Sequence, residues 1–126
     1  MKPNIILDLD QTLISAITKD EYTKNLKKYT NLEKNLKMVN MDDSYIVFLR
    51  PYLDEFLSFL FTNFNVSVWT AATKDYALFI IDKIICTPDK PDRTLDYIFF
   101  SYHGDISNKL TNKSKDLSIL WNAFNI

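Results

Sequence analysis

The chain has 126 residues, 47% of them apolar and 25% charged, with a formal net charge of −1. That is one domain with a real core and no room for a second, and the balance of basic and acidic residues gives no reason to expect a nucleic-acid groove. A single glycine (Gly104), a single histidine (His103) and a single cysteine (Cys86) exclude glycine-rich phosphate loops, dinucleotide fingerprints, His-rich metal sites, multi-thiolate zinc sites and a disulfide framework.

In chain order, residues 5–9 (Ile-Ile-Leu-Asp-Leu) read as a short buried strand closing on acids. They are followed by a polar insertion at about 15–43. Within it, residues 19–37 space Tyr22, Leu26, Tyr29, Leu32 and Leu36 at helix-like intervals and predict a solvated helix or a mobile segment. Residues 44–49 are β-branched and aromatic and predict a strand, stopped by Arg50-Pro51. Leu53, Phe56, Leu57 and Leu60 then draw one apolar helical stripe, with Asp54 and Glu55 in the turn where the helix dipole favours negative charge. A strand over 66–70 precedes a helix over 74–85 with Ala77, Ile80, Ile81 and Ile84 on one face. Thr87 to Pro91 is a loop because two prolines interrupt it. A strand over 97–100, an irregular polar stretch over 101–113 and a last helix from about Ser114, turning Leu117, Leu120 and Trp121 inward, complete the chain. Strands alternating with helices predict an α/β fold on a parallel sheet with right-handed crossovers. No run reaches the roughly 18 apolar residues of a membrane span. Met1-Lys2-Pro3-Asn4 lacks the shape of a signal peptide, so the expected protein is soluble and intracellular, with no membrane association.

Three segments carry candidate chemistry. Asp8-Leu9-Asp10-Gln11-Thr12 lies at the carboxyl end of the first strand, where open α/β sheets place ligands. Two carboxylates so close call for partners, and Mg²⁺ prefers hard oxygens. A carboxylate can attack phosphorus, and a second acid can protonate a leaving group and later activate water. The bland alternative is a turn former or helix cap. Thr70, followed by Ala71-Ala72, ends the neighbouring strand and could bond a phosphate oxygen, although a helix cap, with Thr73 as an equal candidate, explains it as well. Asn112-Lys113-Ser114-Lys115-Asp116 offers a lysine to phosphate, or merely a solvated face. His103 is read as a surface or loop residue and Cys86 as a small hydrophobe.

In combination these segments resemble the haloacid dehalogenase superfamily, and within it the FCP/SCP group of C-terminal-domain phosphatases, over Asn4 to about Leu120. The resemblance is carried by Asp8-Leu9-Asp10-Gln11-Thr12-Leu13, by Arg50-Pro51-Tyr52-Leu53-Asp54-Glu55-Phe56-Leu57, by Val68-Trp69-Thr70-Ala71-Ala72-Thr73-Lys74-Asp75-Tyr76-Ala77 and by Lys115-Asp116-Leu117-Ser118. It implies a Rossmannoid three-layer sandwich over a single domain, 1–126. It also implies a Mg²⁺-dependent protein Ser/Thr phosphatase, cytoplasmic or nuclear, acting on a phosphoprotein or phosphopeptide. Asp8 would be the nucleophile and Asp10 the general acid and base, with both at the metal. Thr70, Ala71 and Lys115 would bind the phosphoryl group, with Lys113 the alternative if the loop register differs by two. The family's fourth motif, an acidic strand, is expected where this chain stops, with 122–126 as its approach. Its lack would weaken the Mg²⁺ site and leave Ile5-Ile6-Leu7 on an open sheet edge, as in a fragment. Two competing expectations are a polynucleotide or small-molecule phosphatase and a non-catalytic protein-binding module.

Overall fold

The computed structural model describes residues 1–42 and 44–122. Its centre is a parallel sheet of three strands, β1 (Asn4–Leu7), β5 (Asn65–Trp69) and β6 (Ile98–Phe99), in the order β1-β5-β6. Leu7 is level with Val68, and Trp69 with Phe99. Side chains alternate across these strands. Leu7, Val66 and Val68 face the main core, whereas Ile6 and Trp69 face the opposite side. On the first side lie α3 (Leu53–Asn63), through Leu53, Leu57 and Leu60, and α4 (Lys74–Ile80) with the π-helical turn Ile81–Ile85, through Ile80, Ile81, Ile84 and Ile85. On the other side α6 (Ser118–Asn122) packs Ile119 and Leu120 against Trp69 and Phe99. Helices on both faces of a parallel sheet make the three layers that the sequence predicts. β1 is paired by β5 alone among the described residues and so stands at the sheet edge.

The strand over 44–49 does not belong to that sheet. As β4 (Tyr45–Leu49) it is the middle of a second, antiparallel sheet, β2-β4-β3, flanked by β2 (Ile14–Thr18) and β3 (Met38–Met41). The polar stretch between β2 and β3 folds as two short helices, α1 (Lys19–Lys24) and α2 (Leu26–Glu33). Val47 and Ile14 face the main core, while Ile46 and Phe48 pack on Tyr29 of α2. Tyr22, Tyr29 and Phe48 stack in series, which fixes the helices to the sheet.

Four further expectations are corrected. Residues 101–113 are mostly a helix, α5 (Ser101–Thr111); its opening Phe100 N–H donates to His103 Nδ1 at 3.0 Å, and Asn112 ends it in the left-handed region. His103 is therefore a half-buried cap packed among Phe99, Phe100 and Tyr102, not a loop residue, and burial pushes its pKa down. The last helix begins at Ser118, and its register buries Ile119 and Leu120 while Leu117 and Trp121 are exposed. Phe56 also faces outward from the α3 stripe. Cys86 packs half-buried against the main core, and burial raises its thiol pKa. Among the described residues, no helix is long and apolar enough to cross a membrane. The expected approach to a fourth-motif strand, 122–126, lies outside the described residues apart from Asn122, which closes α6.

Candidate active site

Parallel pairing puts the carboxyl ends of β1 and β5 side by side, so Asp8 and Thr70 emerge at one edge of the sheet. Beyond Leu7 the chain makes a tight turn. The Leu9 carbonyl accepts from Thr12, Leu13 and Ile14 N–H at 3.2, 2.9 and 3.2 Å, and Gln11 sits at φ 63°. A left-handed glutamine costs on the order of 1 kcal/mol. Buried Leu9 and Leu13 anchor the turn from inside. Arg50 ties it from outside, its Nη1 donating to Thr12 O at 2.8 Å and its N–H to Leu13 O at 3.1 Å. The Arg-Pro segment thus holds the acidic loop at the sheet edge.

Asp8 is half exposed and both of its oxygens have a donor. Lys115 Nζ stands 3.0 Å from Oδ1, and Thr12 Oγ1 donates to Oδ2 at 3.2 Å. The lysine at Asp8 is Lys115; Lys113 contributes main-chain bonds instead. Ser107 makes that assignment possible. Fully buried in α5, its hydroxyl donates to Lys113 O at 2.5 Å and accepts from Asp116 N–H at 2.9 Å, gripping the loop on both sides of Lys115. Asp116 Oδ1 in turn accepts from Ser118 N–H at 2.9 Å to start α6, and this bond holds its carboxyl below the usual range. Nothing in the sequence singles out Ser107, a serine in a polar stretch. Ser107→Ala strands two loop groups and is expected to destabilise the fold by about 1–3 kcal/mol, read as a fall in the urea unfolding midpoint. An unchanged midpoint would mean that the loop is held by other contacts.

Asp10 has a different partner from Asp8. Its Oδ1 accepts from the Tyr76 hydroxyl at 2.7 Å, and Tyr76 meets Tyr45 edge-on at 5.7 Å. Burial, then the bond and charge of Asp10, raise the Tyr76 pKa far above the ordinary phenol, so the hydroxyl remains a donor throughout the neutral range. Asp10, Met41, Tyr45, Thr73 and Tyr76 line part of a cavity of about 480 Å³.

Thr70 is almost wholly buried. Its N–H continues the ladder to Phe99 O at 2.9 Å, and its hydroxyl accepts from Ala72 N–H at 3.1 Å, a turn-forming bond. Among the described residues no direct bond joins Thr70 to Asp8 or Lys115. Ala71 is exposed and shares with Lys115 a cavity of about 190 Å³ floored by Trp69. The structure thus joins Asp8, Thr12 and Lys115 in one cluster and Asp10 with Tyr76 in another, and sets Thr70 and Ala71 on the adjacent strand end.

Among the described residues no three His, Cys, Asp or Glu side chains converge as a metal cluster. The half-exposed carboxylate of Asp8 suits Mg²⁺, which keeps several waters and needs only one or two protein carboxylates beside a substrate phosphate.

The sequence model of the NLI interacting factor-like phosphatases matches residues 3–125. The CTD phosphatase-like protein 355R of Invertebrate iridescent virus 3 is 43% identical over 129 residues, spanning 99% of this chain and 69% of the viral protein. Two solved structures of the RNA polymerase II CTD phosphatase Fcp1 share the fold at 21% identity. One, a fission yeast variant bound to beryllium fluoride, has a TM-score of 0.58 over 82% of this chain. The other has a TM-score of 0.60 over 93%. This chain spans 30% and 36% of those two chains.

Proposed function

The chain belongs to the NLI interacting factor-like phosphatase family, and from that premise we propose that it is a Mg²⁺-dependent phosphatase of phosphoserine and phosphothreonine in proteins, working through an aspartyl-phosphate on Asp8. One observation carries the reading. Lys115 Nζ lies 3.0 Å from Asp8 Oδ1, bringing a cation from 107 residues away to the carboxylate that ends β1. A lone acid at a strand end is a turn former; a lysine brought from a distant segment to that acid supports the reading, because it sets a cation where a phosphoryl group on Asp8 would need one.

In this reading Asp8 attacks phosphorus as the bond to the leaving oxygen breaks, and Asp10 gives that oxygen its proton. Asp10 then takes a proton from water, which attacks the aspartyl-phosphate, releases inorganic phosphate and restores the Asp8 carboxylate. Lys115 offsets the charge that accumulates on the phosphoryl oxygens, and the small Ala71 lets its backbone approach them, with Thr70 fixing the turn. The metal would be held by the Asp8 carboxylate and the Asp10 main-chain carbonyl. When bound it supplies neutralisation of charge between carboxylate and phosphate. We read 1–126 as one domain, whose insertion at about 15–43 walls the Asp10 side of the site through Met41.

The test offers the chain a phosphoserine peptide and a 3′-phosphorylated oligonucleotide, each with Mg²⁺ and with excess EDTA. The expected result is release of phosphate from the peptide, lost on chelation. Preference for the oligonucleotide would move the chain to polynucleotide chemistry, and inertness towards both would make it a binding module.

A further inference from the structure

We propose that Tyr76 is a positioning residue that holds one oxygen of Asp10 so that the other is presented to the leaving group and then to water. The inference rests on the phosphatase reading above. An aspartate has two side-chain torsions, and an acid that must serve two successive steps gains from having both fixed. The main chain of Asp10 is fixed by the turn around Leu9 and by the bridge to Ile14. Its Oδ1 is fixed by the Tyr76 hydroxyl at 2.7 Å, which leaves Oδ2 as the oxygen for proton transfer.

The phenol is itself held from two elements. Tyr76 lies in the first turn of α4, directly after β5 and Thr70, and its ring meets Tyr45 at an interplanar angle of 76°. Tyr45 opens β4, where it is registered against both Thr18 and Met41. The second sheet thus reaches this hydrogen bond through the Tyr45 ring. A phenol also gives the carboxylate a donor without a charge, so the acid is oriented without a competing cation.

The measurement is kcat/KM, which reports the steps through formation of the phospho-enzyme, for the full chain and its Tyr76→Phe variant on two substrates. A phosphoserine peptide expels a strongly basic alkoxide that needs the proton of Asp10. Dinitrophenyl phosphate expels a stable phenolate that does not. Tyr76→Phe keeps the ring and its contact with Tyr45. It should lower kcat/KM on the peptide by about tenfold or more, the worth of one hydrogen bond to a charged group, and on dinitrophenyl phosphate by less than about threefold. Asp10→Asn should show the same split, enlarged. Equal losses on both substrates would make Tyr76 merely structural, and no loss on either would remove it from the site; each overturns the inference while leaving the phosphatase reading in place. An unsubstituted chain inert to both substrates overturns the two together.

Discussion

Replacing Asp8 with asparagine should abolish turnover while leaving the fold intact. The amide has the shape of the carboxylate but not its nucleophilic oxygen, so no covalent step can begin, and kcat should fall by about four orders of magnitude or more, to the background of the assay. The same change breaks the ion pair with Lys115. Both partners are well exposed, with 46% of the Asp8 side chain and 36% of the Lys115 side chain open to solvent, and such pairs are worth about 0–1 kcal/mol. The urea midpoint should therefore barely move. Rate loss with unchanged stability is the mark of a chemical role. A variant that retains an appreciable fraction of the rate would show that Asp8 is not the group that attacks.

Removing the charge at Lys115 comes next in size. Lys115→Met keeps the length and the apolar stem but leaves phosphoryl charge unopposed, and kcat/KM for a phosphopeptide should drop by about 10²–10³, the loss seen when one preorganised donor to a developing anion is deleted. Lys113 is the informative comparison. It lies two residues away in the same loop, yet its main-chain atoms, not its ammonium, take part in the bonds that shape that loop. Lys113→Met should change kcat/KM by less than about twofold, within the range of an exposed surface substitution. If the two variants lost activity equally, the loop would act through its general positive charge and the contact at 3.0 Å would not be the relevant one.

The parts of the molecule that the sequence discloses are those where local pattern and burial coincide. Ile5-Ile6-Leu7 before Asp8, the Leu53, Leu57 and Leu60 stripe and the isoleucines at 80, 81 and 84 are all buried or half-buried where their spacing puts them. Tyr45–Leu49 is legible as a strand for the same reason, but its sheet is not. Both of its faces are covered, Val47 by the main core and Ile46 and Phe48 by Tyr29, so it reads as one continuous apolar run, like a strand of the parallel sheet. Its partners β2 and β3 are hidden by Ser15, Thr18 and Asn40, which weaken the pattern. Helix α5 escapes notice because Ser107 is its one buried residue and Leu110 is exposed, which leaves little apolar periodicity to find.

The candidate site divides in the same way. Asp8, Asp10, Thr70, Ala71 and Lys115 can be proposed because each sits in a short motif at the end of a predicted element. Tyr76 and Ser107 are different. Their parts depend on contacts 66 residues from Asp10 and nine from Asp116 respectively, and on burial that no local window reports. Tyr76 lies inside a quoted motif, and a tyrosine in the first turn of a helix that leaves the functional edge of a sheet is the one available signal.

The destination of the phosphoryl group decides whether Asp8 is the nucleophile. The chain should be mixed with a phosphoserine peptide and Mg²⁺, quenched in acid during turnover, digested and mapped by mass spectrometry, with the Asp8→Asn variant in parallel. The expected result is one added phosphoryl group on the peptide carrying Asp8, absent from the variant. Phosphate release with the label on any other residue, or steady turnover by the variant, would contradict it.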